Sequence, residues 1–249
     1  MSLVRRKEEV LNFLDVIFCI DSTGSMETFI LEVRRNVINM MREIKKSGLS
    51  VNFGCVFYGD HERVSQEVVR FYELTGDEKT IEANFQGTTI FGGGDHPEAV
   101  ADGLHVSLNM NWRRGSRRVV ILIGDAPPHA YARDSKDDYP NGCPCGLDPL
   151  QEAIKCKDEN ITIYSIGVWN DRDMKEAFGK FASVTGGSFF ALNEVSKLIS
   201  TIISMLRREL QKIERDKLVY RSMKEGKPLP LPSGEVNEAM ESLRKRGVL

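Results

Sequence analysis

The chain has 249 residues, 41% hydrophobic and 28% charged, with a formal net charge of −2. That length holds one large domain plus an appendage, and the composition is that of a globular protein rather than a disordered one. Charge is acidic through the body and mildly basic from Arg207 onward, too even to argue for nucleic acid, and no run approaches the ~18 apolar residues of a membrane span.

The first residues, Met1-Ser2-Leu3-Val4-Arg5-Arg6-Lys7, lead into a mixed polar stretch with no signal-peptide run. Five cysteines are an odd number, and Cys19 and Cys55 sit inside apolar runs. This does not look like a secreted disulfide framework, so a reducing, cytoplasmic setting is expected.

In chain order, short runs rich in Val, Ile and Phe recur at 14–20, 51–58, 68–74, 119–123, 161–168 and 188–192, each bounded by Gly, Asp or Asn. They read as strands, several buried on both faces. Segments with helical spacing lie at 26–46, 97–111, 149–160, 172–185 and 195–215. This alternation predicts an α/β fold: a doubly wound, mainly parallel central sheet with helices on both faces. The connection 59–66 is too short for a crossover helix, so 68–74 is expected as an antiparallel edge strand. Residues 1–11 and 216–249 are read as extensions of a domain over 12–215. The second contains a linker, Lys227-Pro228-Leu229-Pro230-Leu231-Pro232, then a short helix over 235–246 capped by Ser233. Whether that tail clasps the body or extends into solvent is left open.

Ligands of an open parallel sheet bind where strands end and helices begin, and the unusual polar segments all fall there. The first strand runs into Asp21-Ser22-Thr23-Gly24-Ser25, with oxygen-bearing side chains at alternate positions that can face one hard cation. The strand at 119–123 runs into Gly124-Asp125-Ala126-Pro127-Pro128-His129. Between them lies Phe91-Gly92-Gly93-Gly94-Asp95-His96-Pro97-Glu98-Ala99, a glycine-rich loop with a further carboxylate and a proline at the expected helix start. Taken alone, the first segment could simply cap the following helix. Asp60, His61 and His129 are candidates for the rim or for orienting ligands; His96 reads as a loop-packing residue.

In this order the segments resemble the metal-ion-dependent adhesion site of von Willebrand factor type A domains, over about residues 12–215. The resemblance is nearest to the branch in hemicentin-like proteins and alpha-kinases, where stretches like Gly92–Ala99, Gly124–His129 and Pro140–Gly146 are familiar. It implies a non-enzymatic protein-binding domain holding a divalent cation, Mg²⁺ first, with Ca²⁺ or Mn²⁺ as alternatives. The ligands implied are Asp21, Thr23, Ser25 and Asp125. Gly94 stands where most members have a ligating threonine, so Asp95 becomes the candidate for the missing ligand. A third carboxylate would neutralise more of the cation's charge. That weakens its pull on an acidic side chain of a partner and makes Ca²⁺ more plausible beside Mg²⁺. A structural or regulatory module whose metal only braces the loops is the competing reading.

Two other readings carry less weight. A phosphotransferase with Asp21 as nucleophile wants a carboxylate two residues later, and Thr23 stands there. Cys143-Pro144-Cys145 with Cys156 invites zinc, but one Cys-x-Cys lacks the paired spacing of structural zinc sites. Residues 134–147 are therefore expected as a loop over the site. The run Arg113-Arg114-Gly115-Ser116-Arg117-Arg118 reads as a solvated loop.

Overall fold

Each of the buried strands alternates its side chains between two apolar layers, and that alternation builds the molecule. In the computed structural model, which describes residues 8–61, 67–87, 90–91, 94–133 and 136–249, six strands form one sheet. They are β1 (Phe13–Asp21), β2 (Ser50–Tyr58), β3 (Val69–Thr75), β4 (Arg117–Gly124), β5 (Ile161–Val168) and β6 (Phe189–Leu192). Their order is β3-β2-β1-β4-β5-β6. All pairs are parallel except β2–β3, which is antiparallel and places β3 at the edge.

The helices are α1 (Glu27–Lys45), α2 (Glu78–Gln86), α3 (Val100–Leu108), α4 (Pro149–Asp158), α5 (Arg172–Val184), α6 (Leu198–Glu225) and α7 (Ser233–Lys245). One sheet face, with Val16, Phe18 and Ile121, packs on α1, α2 and α6. The other, with Ile17, Val120 and Ile163, packs on α3, α4 and α5. Burial on both faces explains why β1, β4 and β5 are nearly continuous apolar runs. No helix among the described residues is long and apolar enough to cross a membrane.

Several local expectations need correction. The helix expected from Pro97 begins at Val100, because Glu98 is held at the sheet edge by its N–H to the Pro127 carbonyl, 3.0 Å away. The last long helix runs on to Glu225 and stops at Gly226, whose left-handed φ of 63° closes the end. Ser233 is the first turn of α7 and makes no side-chain cap. Helix α2, unmarked in the sequence reading, starts at an Asp77 carboxylate that accepts from the Thr80 N–H at 2.9 Å and buries Ile81 and Phe85, one turn apart.

The basic run before β4 is not a solvated loop. Arg113 reaches the buried Asp15 carboxylate at 2.7 Å, and Arg117 meets the buried Glu209 on α6 at 2.5 Å. Glu209 also accepts from Tyr164 Oη and Lys212 Nζ, each at 2.6 Å. Ser242 on α7 donates to Asp216 at 2.6 Å and accepts from Arg117 at 3.0 Å. The C-terminal tail therefore packs on the body, and Val236, Ala239 and Leu243 close a small core with Leu11 and Val219.

Glu209 makes this network sensitive to acid. Burial alone would raise its carboxyl, but Arg117, Lys212 and the Tyr164 hydroxyl outweigh burial and hold it at about 2, against an ordinary 4.5. Because the folded value is the lower one, its contribution is complete above about pH 4.5 and is lost as pH falls toward 2. Urea titrations across that window should show a loss of up to about 3 kcal/mol that flattens in Glu209→Gln; an equally steep decline in the variant would assign acid sensitivity elsewhere.

Candidate metal centre

Strands β1 and β4 are neighbours whose following helices, α1 and α4, lie on opposite faces, so the crevice at their carboxyl ends is the topological switch point of the sheet. Asp21 is the last residue of β1 and is wholly buried there. Its Oδ1 accepts from the Thr23 N–H at 2.9 Å and from Thr23 Oγ1 at 2.7 Å. Thr23 Oγ1 is 3.3 Å from Ser25 Oγ. Asp21 Oδ2 is buried and has no protein hydrogen-bond partner. Ser22 turns inward instead, donating from its hydroxyl to the Tyr58 carbonyl at 2.8 Å and pinning the loop to β2.

Burial, and then the charge of Asp125, push Asp21 up to about 7. The structure thus brings Asp21, Thr23, Ser25 and Asp125 to one edge. It adds a residue the sequence reading passed over. Glu98 is buried, its Oε2 has no partner, and burial followed by the charges of Asp21, Asp60, Asp125 and Asp95 pushes it up to about 11. The signal was an acid set between a glycine-rich loop and an apolar helix, but nothing local distinguishes it from a first-turn residue that favours the helix dipole.

Asp95 has partners other than those of Asp21. Its Oδ2 accepts from the Asp138 N–H at 2.5 Å, its Oδ1 is buried without a partner, and its carboxylate groups with Asp60 and His129, ligand atoms within 4.8 Å of one another. His129 lies between two acids, Nε2 2.9 Å from Asp60 and Nδ1 3.0 Å from Asp137. Burial would lower its pKa, but those two carboxylates outweigh burial and raise it. Asp60 further accepts from the His61 and Gly94 N–H groups. His61 turns away from His129's partners to Asp102, 2.9 Å away, and Cys143, 3.2 Å away. His96 pairs with Asp171 at 3.0 Å. Cys156 is buried in the α3–α5 core. Gly92, Gly93, Asp134 and Ser135 lie outside the described residues.

Chemically, the Asp21 edge is an all-oxygen donor set: the buried carboxylates of Asp21 and Glu98, each with an orphaned oxygen, with Asp125 and two hydroxyls beside them. Such carboxylates require protons or a cation, and oxygen donors suit a hard divalent ion. The residues fit the group.

The fold and the switch-point position define a doubly wound α/β domain with a candidate cation edge. A family model described as the von Willebrand factor type A domain matches residues 15–204, and the chain belongs to that family. Among characterised relatives, alpha-protein kinase vwkA of Dictyostelium discoideum is 34% identical over 159 residues, 61% of this chain and 24% of that protein. The chain spans about a quarter or less of the curated relatives it matches. Among solved structures, the pilus adhesin SpaC of Lactobacillus rhamnosus GG in its open conformation aligns over 82% of this chain and 30% of its own, with a TM-score of 0.60 and 16% identity. The SpRpn10 VWA domain aligns over 76% and 95%, with a TM-score of 0.52 and 15% identity; at these identities the likeness is one of fold. The family resemblance and the doubly wound sheet read from the sequence are borne out.

Proposed function

We propose that the chain is a non-catalytic protein-binding module that holds a divalent cation, Mg²⁺ before Ca²⁺ or Mn²⁺, at Asp21, Thr23, Ser25 and Asp125, with Asp95 approaching from the glycine-rich loop. The observation that carries this is the buried, partnerless Oδ2 of Asp21 beside Asp125 and Glu98. When bound, the cation supplies a positive centre that an acidic side chain of a partner protein can meet. Thr23 and Ser25 present neutral oxygens, whereas Asp21 and Asp125 supply the charge. The proximity of Glu98 and Asp95 favours the second reading, a cation that braces the loops, because every added carboxylate diminishes that centre's attraction for a partner.

We take 12–215 as the working domain, with 1–11 and 216–249 as extensions. A cytoplasmic setting is supported by five cysteines that are all unpaired thiols. The test is thermal unfolding of metal-stripped protein with and without Mg²⁺, Ca²⁺ and Mn²⁺. A cation at a hundredfold its Kd should raise the midpoint by roughly 5–10 °C. Asp21→Ala should abolish the rise and Asp95→Ala should reduce it. No rise with any cation would remove the site, and a rise without any change in binding of an acidic peptide would favour the bracing role.

A further inference from the structure

We propose that His61, Asp102, Cys143 and Cys145 form a second metal site, specific for zinc, that fastens the long β4–α4 connection over the edge of the sheet. These four residues come from three separate places: the segment after β2, the first turn of α3 and the loop before α4. Their ligand atoms nevertheless converge within 4.8 Å of one another. His61 Nε2 is 2.9 Å from Asp102 Oδ2. Cys143 Sγ is 3.2 Å from that nitrogen and 3.1 Å from that oxygen. Zinc bonds of about 2.0–2.3 Å put the edges of a tetrahedron at about 3.3–3.8 Å, so an outward shift of a few tenths of an ångström admits the ion.

The donor set differs in kind from the Asp21 edge. Two thiols with an imidazole and a carboxylate select zinc over Mg²⁺ or Ca²⁺. Its backbone resembles that of a ligating turn. Cys143 and Cys145 stand between Gly142 and Gly146, both in left-handed conformations with φ of 117° and 73°. The Cys145 N–H donates to Cys143 Sγ at 3.3 Å, an arrangement that supports a thiolate. Tyr139 Oη donates to the His61 carbonyl at 2.7 Å, holding the loop against its ligand from a second direction.

A hydrogen-bonded cluster without metal would account for Cys143 between His61 and Asp102. It does not account for Cys145, an exposed residue whose Sγ nevertheless lies within 4.8 Å of the other three ligand atoms. Nor does it explain what holds residues 125–133 and 136–148 in place, since they contain no helix or strand. Loops of that length in a compact domain need a fastening of their own. Binding displaces the two thiol protons to solvent, leaving Zn²⁺ with two thiolates, a neutral imidazole and a carboxylate, a closed set of four protein ligands.

The experiment uses the full chain, reduced, stripped with chelator, and titrated with Zn²⁺ and separately with Co²⁺. About one Zn²⁺ per chain should survive gel filtration, and Co²⁺ should give thiolate-to-metal charge transfer with the intense visible bands of tetrahedral geometry. Cys143→Ser and the exposed Cys145→Ser should each abolish both signals, Asp102→Asn should weaken Zn²⁺ retention at least about tenfold, and Cys156→Ser should leave them intact. Asp21→Ala should retain zinc, separating this site from the cation edge. Failure of the folded wild-type chain to retain zinc, a pale octahedral cobalt spectrum, or unchanged retention in Cys145→Ser would overturn the proposal.

Discussion

Arg246→Ala should cost about 3–5 kcal/mol of stability, although the residue lies three positions from the end of the chain. Its guanidinium is buried and spans three neighbours. It donates to the Gly115 carbonyl at 2.9 Å, the Val10 carbonyl at 3.0 Å and Asp216 at 3.3 Å. Removal leaves two buried backbone acceptors unpaired and takes one cation from Asp216, which keeps Ser242 and, at 4.0 Å, Arg117, and each buried group left unsatisfied carries its own desolvation cost. Burial outweighs Asp216 and lowers Arg246 to about 10, so the pairing offsets only part of the desolvation. Arg246→Lys should recover only part of the loss, because one ammonium cannot reach three acceptors lying in different directions. Urea unfolding monitored by circular dichroism measures both variants; a midpoint within about 0.5 kcal/mol of wild type for Arg246→Ala would make the tail an ornament rather than part of the fold.

Gly187→Ala should be comparably severe, at least about 3 kcal/mol, for a different reason. A Cβ there would fall 1.9 Å from the Ile163 carbonyl oxygen, a backbone atom of β5 whose strand has sheet partners on both sides. Nothing can rotate out of the way. The preceding Gly186 gives the internal control. Its φ of +76° is left-handed, but a Cβ there meets nothing within 4 Å, so Gly186→Ala carries only the conformational penalty of about 1–2 kcal/mol. If the two variants unfold at the same urea concentration, close approach is not what requires Gly187.

The sheet was readable because each strand declares itself locally: an unbroken apolar run such as 161–168, ended by Trp169-Asn170-Asp171, has few other places to go. The antiparallel edge followed from the length of one connection. Helix α2 escaped because only Ile81 and Phe85 mark its buried face and the rest of Glu78–Gln86 is polar. At the site, Asp21 ends β1, Thr23 and Ser25 follow it closely, and Asp125 follows β4, a strand that adjoins β1, so nearness in the sequence pattern became nearness in the fold. Glu98 and the partners of His61 had no such local mark. Asp102 is 41 residues from His61 and Cys143 is 82 away, and the cysteine previously grouped with the pair, Cys156, faces the opposite way into the core. Only the placement of α3 beside the end of β2 turns those separations into contacts.

Strand β4 has a consequence for how freely the two ends of the molecule can change. It begins at Arg117, whose charge is answered by α6 and the tail, and it ends one residue before Asp125. Eight residues of strand separate those ends by about 26 Å, where two unit charges interact by less than about 1 kcal/mol even within protein. The strand is therefore an insulator. The Asp21 edge can exchange a threonine for an aspartate, or gain and lose a carboxylate, without disturbing the ion pairs that tie down the tail, and the tail can diverge without changing the charge at that edge.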